Sequence, residues 1–245
     1  MAESHSPLAQ FEIKPLVEMN IGGLDLSFTN SAAWMVVAII LATIMLTASM
    51  SRRAMIPGRW QSVSELCYEF VANMVRDNVG TEGRRYFPFI FTLFVFILFC
   101  NTLGMVPFSF TPTSHIIVTF ALAFVVFIGV TIIGFAKNGA GFLRLFAPSG
   151  VPMALMPLLV PIEVISYFVR PISLSVRLFA NMMAGHTMLK VFGGFVISLG
   201  LLLGWAPLVF LVALTGLEIG IAFLQAYVFT ILTCLYLHDA LHPGH

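Results

Sequence analysis

YFPFIFTLFVFILFCNTLGMVPFSFTPTSHIIVTFALAFVVFIGVTIIGFA, running from Tyr86 to Ala136, has no Asp, Glu, Lys or Arg in 51 consecutive residues. A membrane-spanning helix needs about 20 predominantly apolar residues, so the stretch holds two of them. Gly104, Pro107, Pro112 and His115 mark a turn, which predicts helices at about Tyr86–Met105 and Ser114–Ala136. Segment 86–136 is therefore read as a transmembrane hairpin. Asn101 is its one deep polar residue, and a bond to a neighbouring helix is enough to account for it.

Composition supports this reading outward along the chain. Of 245 residues, 59% are hydrophobic and only 9% charged. So few charges cannot cover the surface of a soluble domain, which excludes a cytosolic enzyme, a nucleic-acid binder and a disordered chain. A formal net charge of +1 gives no reason to expect a polyanionic partner. Cys67, Cys100 and Cys234 lie far apart beside apolar runs and fit neither a disulfide framework nor a zinc site. His238-Asp239 with His242 and His245 has metal-like composition but reads as a solvated tail, 238–245, so neither a metal nor a cofactor is expected.

Fifteen of the charged residues precede Tyr86. Glu3, Glu12, Lys14 and Glu18 leave no basic region followed by an apolar one, so the start is not read as a signal peptide. Residues 31–50 form the first predicted transmembrane helix, with Asn30 and Ser31 as candidate caps. Arg52, Arg53 and Arg59 follow it. Positive charge marks the cytoplasmic side, so segment 1–30 is expected outside and the C-terminal tail inside. In segment 58–84, Ser62-Val-Ser-Glu65 reads as a capping box. Val63, Leu66, Cys67, Phe70, Val71, Met74 and Val75 then recur at helical spacing opposite Glu65, Glu69, Asn73 and Asp77. This is an amphipathic helix on the cytoplasmic interface, a surface anchor first and a docking face second.

Segment 150–237 differs from ordinary spans. Gly150–Lys190 as one helix runs about 60 Å, twice the bilayer core, and so is broken or steeply tilted. Glu163, Ser166, Arg170, Ser173, Arg177 and Asn181 recur every three or four residues, a single polar stripe that an internal loop would scramble. Pro171 is expected to kink it. Thr215, Glu218, Ala222 and Gln225 share a face of the last segment. Arg170 and Lys190 can snorkel, and Glu163 can sit at a boundary. Arg177 is harder to dismiss. Arginine stays protonated, and mid-membrane it costs roughly 2.5–3.5 kcal/mol or more, which marks an ion pathway or a structural pair with Glu218. If the two helices are antiparallel, His186 meets Glu218 at one level and Arg177 meets Gln225 at another. A histidine–carboxylate pair serves as a proton relay or simply fixes packing.

Pro171-Ile-Ser-Leu-Ser-Val-Arg177-Leu-Phe-Ala-Asn181-Met-Met-Ala-Gly185-His186 resembles the signature of the subunit a family of the F-type ATP synthase membrane sector. Leu217-Glu-Ile-Gly-Ile-Ala-Phe-Leu-Gln225 resembles that family's last helix, and Cys100-Asn-Thr-Leu-Gly-Met-Val-Pro107 an earlier segment. The resemblance implies an all-α integral membrane protein with five membrane-embedded helices plus one amphipathic interfacial helix, the last two helices long and steeply tilted. It implies a non-enzymatic, proton-conducting stator in a bacterial inner membrane. The implied partners are a ring of small hairpin subunits with embedded carboxylates, peripheral-stalk subunits and, indirectly, a catalytic head. It makes Arg177 the essential arginine, with Asn181 and Gln225 as polar neighbours. His186 and Glu218 then belong to an outer half-channel and Glu163 to a cytoplasmic one. Many bacterial members exchange the residue types at the positions of His186 and Glu218, and the order found here resembles mitochondrial and alphaproteobacterial members. The rival is a secondary transporter with a buried Arg/Glu/His site, but such proteins usually show internal repeats and none is visible here. A membrane enzyme has no support, because the sequence offers no nucleophile–base pair, metal cluster or phosphate loop.

Overall fold

The computed structural model describes residues 11–18, 20–21, 24–25, 27–50, 58–106, 109–146 and 155–243. Among them are six α-helices: α1 Asn30–Met50, α2 Arg59–Val79, α3 Phe87–Gly104, α4 Ile116–Asn138, α5 Met156–Leu203 and α6 Trp205–Leu241. All but α2 are long and apolar enough to cross a membrane. Arg52, Arg53, Pro57, Pro107, Gly150 and His245, which the sequence reading used, lie outside the described residues. Two compact units emerge, one of Met1–Ser51, Val95–His115 and Leu178–Ala226, the other of Arg52–Phe94, Ile116–Arg177 and Tyr227–His245.

The first unit begins with two short nested antiparallel pairs that the sequence reading did not anticipate. Strand β1 Pro15–Val17 pairs with β4 Phe28–Thr29, and β2 Asn20–Ile21 pairs with β3 Leu24–Asp25. The cap of α1 also differs from expectation. Thr29 Oγ1 accepts the Ala32 amide at 3.4 Å, while Asn30 Oδ1 accepts the Ser31 amide at 2.9 Å and Asn30 Nδ2 donates to the Glu12 carbonyl at 3.1 Å, tying the segment before β1 to the helix. Helix α1 buries only small side chains, Ser31, Ala38, Ala42 and Ser49, and leaves its large apolar residues outward as a lipid-facing helix does. The turn from α5 to α6 depends on glycine. Gly200 has φ 63° and ψ −164°, a conformation open to glycine alone, and a Cβ on Gly204 would sit 2.8 Å from the Val196 carbonyl oxygen.

In the second unit α2 is amphipathic, but its apolar stripe is divided. Val71, Met74, Val75 and Val79 are buried, whereas Val63 and Leu66 stay exposed for a bilayer surface. The capping box does not form. The helix starts at Arg59, so Ser62 lies already inside the first turn and donates to the Gly58 carbonyl at 3.1 Å, and Glu65 accepts from Gln61 instead. Phe142 fills the space left by Gly134, and Tyr167 shares a 2.6 Å hydrogen bond with Thr131 amid Phe127, Phe142 and Phe146. Arg170 is half-buried. It donates to Asp239 at 2.9 Å and stacks over Tyr236, which desolvates neither charge without a partner. The expected solvated tail is likewise corrected, since α6 continues to Leu241 and Asn138 Nδ2 satisfies the Ala240 carbonyl at 2.7 Å.

Helices α5 and α6 are the long elements expected. At 1.5 Å per residue they span about 70 Å and about 55 Å, well beyond a perpendicular crossing. Backbone angles in α5 stay helical through Pro161 and Pro171, and the only break is Gly200.

Candidate functional site

Helical periodicity sorts the side chains of α5 onto two faces. Tyr167, Pro171, Leu174, Leu178, Met182 and His186 are buried and recur every three or four residues. The polar stripe lies beside them and stays open: Ser166, Ser173 and Arg177 are exposed, and Glu163, Arg170 and Asn181 are half-buried. Arg177 and Glu163 make no ion pair or hydrogen bond among the described residues, so the idea of a structural Arg177–Glu218 pair gains no support. Glu218 is committed elsewhere.

Within the first unit α5 and α6 meet at two levels. His186 Nδ1 lies 3.3 Å from Glu218 Oε1, with the two residues 7% and 2% exposed, so the pair is shut from bulk solvent on most sides. Neither carboxylate oxygen is engaged in an aligned hydrogen bond. Five residues earlier on α5, and two turns later on α6, Asn181 Nδ2 donates to Gln225 Oε1 at 2.8 Å. The antiparallel reading expected the first contact. It put Arg177 with Gln225 at the second level, and the recorded partner of Gln225 is Asn181, one helical turn further along. Gln225 is fully buried and its Nε2 has no partner among the described residues, a donor left available inside the membrane.

Gly185 makes the first contact possible. A Cβ there would overlap Glu218 Oε1 and lie 2.9 Å from its Cδ. The absence of a side chain at 185 is what lets the carboxylate reach the imidazole beside it.

Two residues of this cluster, Thr111 and Thr113, were not singled out from sequence. Thr111 Oγ1 lies 2.9 Å from His186 Nε2, so both ring nitrogens are addressed, one by a hydroxyl and one by a carboxylate. Thr113 donates to Asn101 Oδ1 at 2.8 Å, and Asn101 Nδ2 donates to the Ala222 carbonyl at 3.2 Å, one turn beyond Glu218. Asn101 is completely buried and clamps α6 at the level of the pair, as its helix-bonding reading expected. Gly104 admits Thr111, since a Cβ there would meet its side chain at 2.6 Å. A cluster of hydroxyl residues in the turn of an otherwise apolar hairpin was the available signal.

A cavity of about 310 Å³ reaches this cluster. It is lined by Ser109, Thr111, Thr215 and Lys190 on its polar side and ends on His186. Lys190 is exposed at the cavity wall. The arrangement offers a water-sized approach, a hydroxyl, an imidazole and a carboxylate in succession, which is the set of groups a proton needs to move by short transfers. Among the described residues no cluster of His, Cys, Asp or Glu is arranged to hold a metal.

The ATP synthase A chain family matches residues 31–238 of this chain. ATP synthase subunit a of Parvibaculum lavamentivorans is 62% identical, with 98% of this chain and 94% of that protein aligned. The subunit a of Paramagnetospirillum magneticum is 61% identical over 97% of this chain and 98% of its own length. That of Rhodospirillum rubrum is 58% identical over 97% and 99%.

Proposed function

Because the chain belongs to the ATP synthase A chain family, we propose that it is the stator along which protons cross the membrane sector of a rotary ATP synthase. Membership makes it a non-catalytic, membrane-sector subunit of the F-type ATP synthase, a multi-pass protein of the bacterial inner membrane. The proposal adds the route. A ring of small hairpin subunits, each with one embedded carboxylate, passes the open face of α5, and peripheral-stalk subunits hold the chain still relative to the catalytic head.

The observation that carries this reading is the exposed polar stripe of α5 with Arg177 on it. An arginine turned to lipid costs roughly 2.5–3.5 kcal/mol or more, so the face calls for a polar partner from another chain. A carboxylate supplies it. In lipid the ring carboxylate is stable protonated; beside the guanidinium its charged form is favoured, so it releases its proton on arrival. After passing, it takes a proton from the other half-channel. The cavity with Thr111, His186 and Glu218 forms the outer half-channel, Glu163 serves the cytoplasmic one, and Asn181 and Gln225 hold the polar path next to the arginine. The fixed positive charge of Arg177 repels a hydronium moving directly between the channels, so protons ride the ring. Each charge crossing 100 mV delivers about 2.3 kcal/mol. The N-terminus lies outside and the C-terminus inside.

Membrane vesicles carrying Arg177→Ala or Arg177→Lys test the assignment by respiration-driven ATP synthesis. Both variants insert normally and lose synthesis. A lysine can shed its proton and lacks the planar fork. Near-normal synthesis by the lysine variant would overturn the permanently charged gate.

A further inference from the structure

We propose that the cavity between the turn Thr81–Arg85 and the last turns of α4 binds the headgroup of an anionic phospholipid. This site shares no residue with the proton path and does not depend on it. Its volume is about 430 Å³, with Arg85, Lys137, Tyr86 and Glu82 on the polar side and Ile132 and Ile133 on the apolar side.

Helix α3 starts at Phe87 and α4 ends at Asn138, so the cavity lies where two apolar spans reach one membrane surface. The ion pair between Lys137 and Glu82 clips those ends together. The hydrogen bond from Lys137 holds the Glu82 carboxyl below the usual carboxylate range, so Glu82 is ionised at neutral pH and offsets one of the two cations. Arg85 makes no ion pair or hydrogen bond among the described residues and is exposed, leaving its planar set of donors for an incoming group. A phosphodiester presents the oxygens that such a fork binds bidentately. Ile132, 61% exposed, continues the wall towards the hydrocarbon, where the first acyl carbons would lie. Tyr86 stands at the level where aromatic residues with a polar tip favour the bilayer interface. A zwitterionic lipid brings its own cation against Arg85 and Lys137, and free phosphate has nothing to lay on the isoleucines. Charge and shape together select an anionic lipid.

Native mass spectrometry of the full-length chain in detergent, titrated with phosphatidylglycerol, phosphatidylcholine or inorganic phosphate, reads the binding directly. The first phosphatidylglycerol binds more tightly than phosphatidylcholine. Arg85→Gln weakens it about fivefold, the factor expected for one basic side chain at an anionic headgroup, and leaves phosphatidylcholine unchanged. Ala136→Trp, which fills the cavity without altering charge, weakens it as well. Arg59→Gln, which removes an exposed charge at the start of α2, changes neither. Equal binding of the two lipids, equal losses for Arg85→Gln and Arg59→Gln, or no loss for Ala136→Trp would each overturn the proposal. Displacement of phosphatidylglycerol by equimolar inorganic phosphate would reassign the site to a free anion and overturn it too.

Discussion

Gly185→Ala places one methyl group where Glu218 now lies, and the structure sets the size of the effect. The added Cβ would overlap Oε1 and stand 2.9 Å from Cδ and 3.1 Å from Cγ of Glu218. Carbon atoms at rest keep about 3.5–4.0 Å apart, so the carboxylate must retreat by about 1 Å. The His186 Nδ1–Glu218 Oε1 distance of 3.3 Å then opens beyond hydrogen-bond reach. Overpacking of this kind costs about 1–3 kcal/mol of stability, and a 1 Å misplacement of a reacting group costs about 100-fold in rate. Passive proton conduction through membranes stripped of the catalytic head should therefore fall by about two orders of magnitude while the amount of inserted protein stays within a factor of two. Glu218→Asp in the same chain withdraws the carboxylate by one methylene and should restore part of the flux. Gly129→Ala on α4, where a Cβ meets nothing within 4 Å, serves as the control. If Gly185→Ala conducts within twofold of the parent, the close approach of Glu218 to His186 is not part of the proton path.

Other outcomes can be stated briefly. His186→Glu and Glu218→His each leave two like groups at the relay and should conduct poorly, whereas the double exchange restores one acid and one imidazole and should recover to within a few-fold of the parent. A double variant no better than the worse single would show that the residues act separately. Asn101→Leu strands the Thr113 hydroxyl in a dry interior and removes the tie to the Ala222 carbonyl, and should cost about 1–3 kcal/mol, seen as a lower midpoint for thermal unfolding in detergent. An unchanged midpoint would mean that the clamp contributes nothing. A single cysteine in place of Leu143, in a chain lacking the native cysteines, should react with an impermeant reagent only from the cytoplasmic side of the vesicle. Reaction from the outer side would invert the proposed topology.

What the sequence made legible was what helices repeat locally. The long uncharged run, the continuous stripe on α5 and the meeting of His186 with Glu218 all follow from residue spacing along two antiparallel elements. The contacts that went unseen join positions whose separation carries no period. Thr111 and His186 are 75 residues apart, and Arg170 and Asp239 are 69 apart. Nothing in either local pattern says that a turn hydroxyl reaches an imidazole, or that an arginine near a boundary finds an aspartate instead of water. The short strand pairs were missed for another reason. Their two- and three-residue lengths give no alternation to read, and the Gly22-Gly23 dipeptide between β2 and β3 was the only hairpin signal. The capping box at Ser62 failed because a serine–glutamate spacing fits equally well inside a first turn.

The glycine turn at Gly200–Gly204 has a consequence for which kinds of genetic change the chain tolerates. His186 and Glu218 stand at equal distances before and after residue 202, and Asn181 and Gln225 nearly so. Adding or deleting one codon anywhere between 187 and 217 would move one helix by about 1.5 Å and rotate it by about 100° against the other. Both pairs would be broken by the same event, however apolar the inserted residue and however far it lay from any charged group. Substitutions of exposed apolar residues in the same interval merely trade one lipid-facing side chain for another. In this stretch the damage done by a mutation depends less on which amino acid it introduces than on whether it preserves the count.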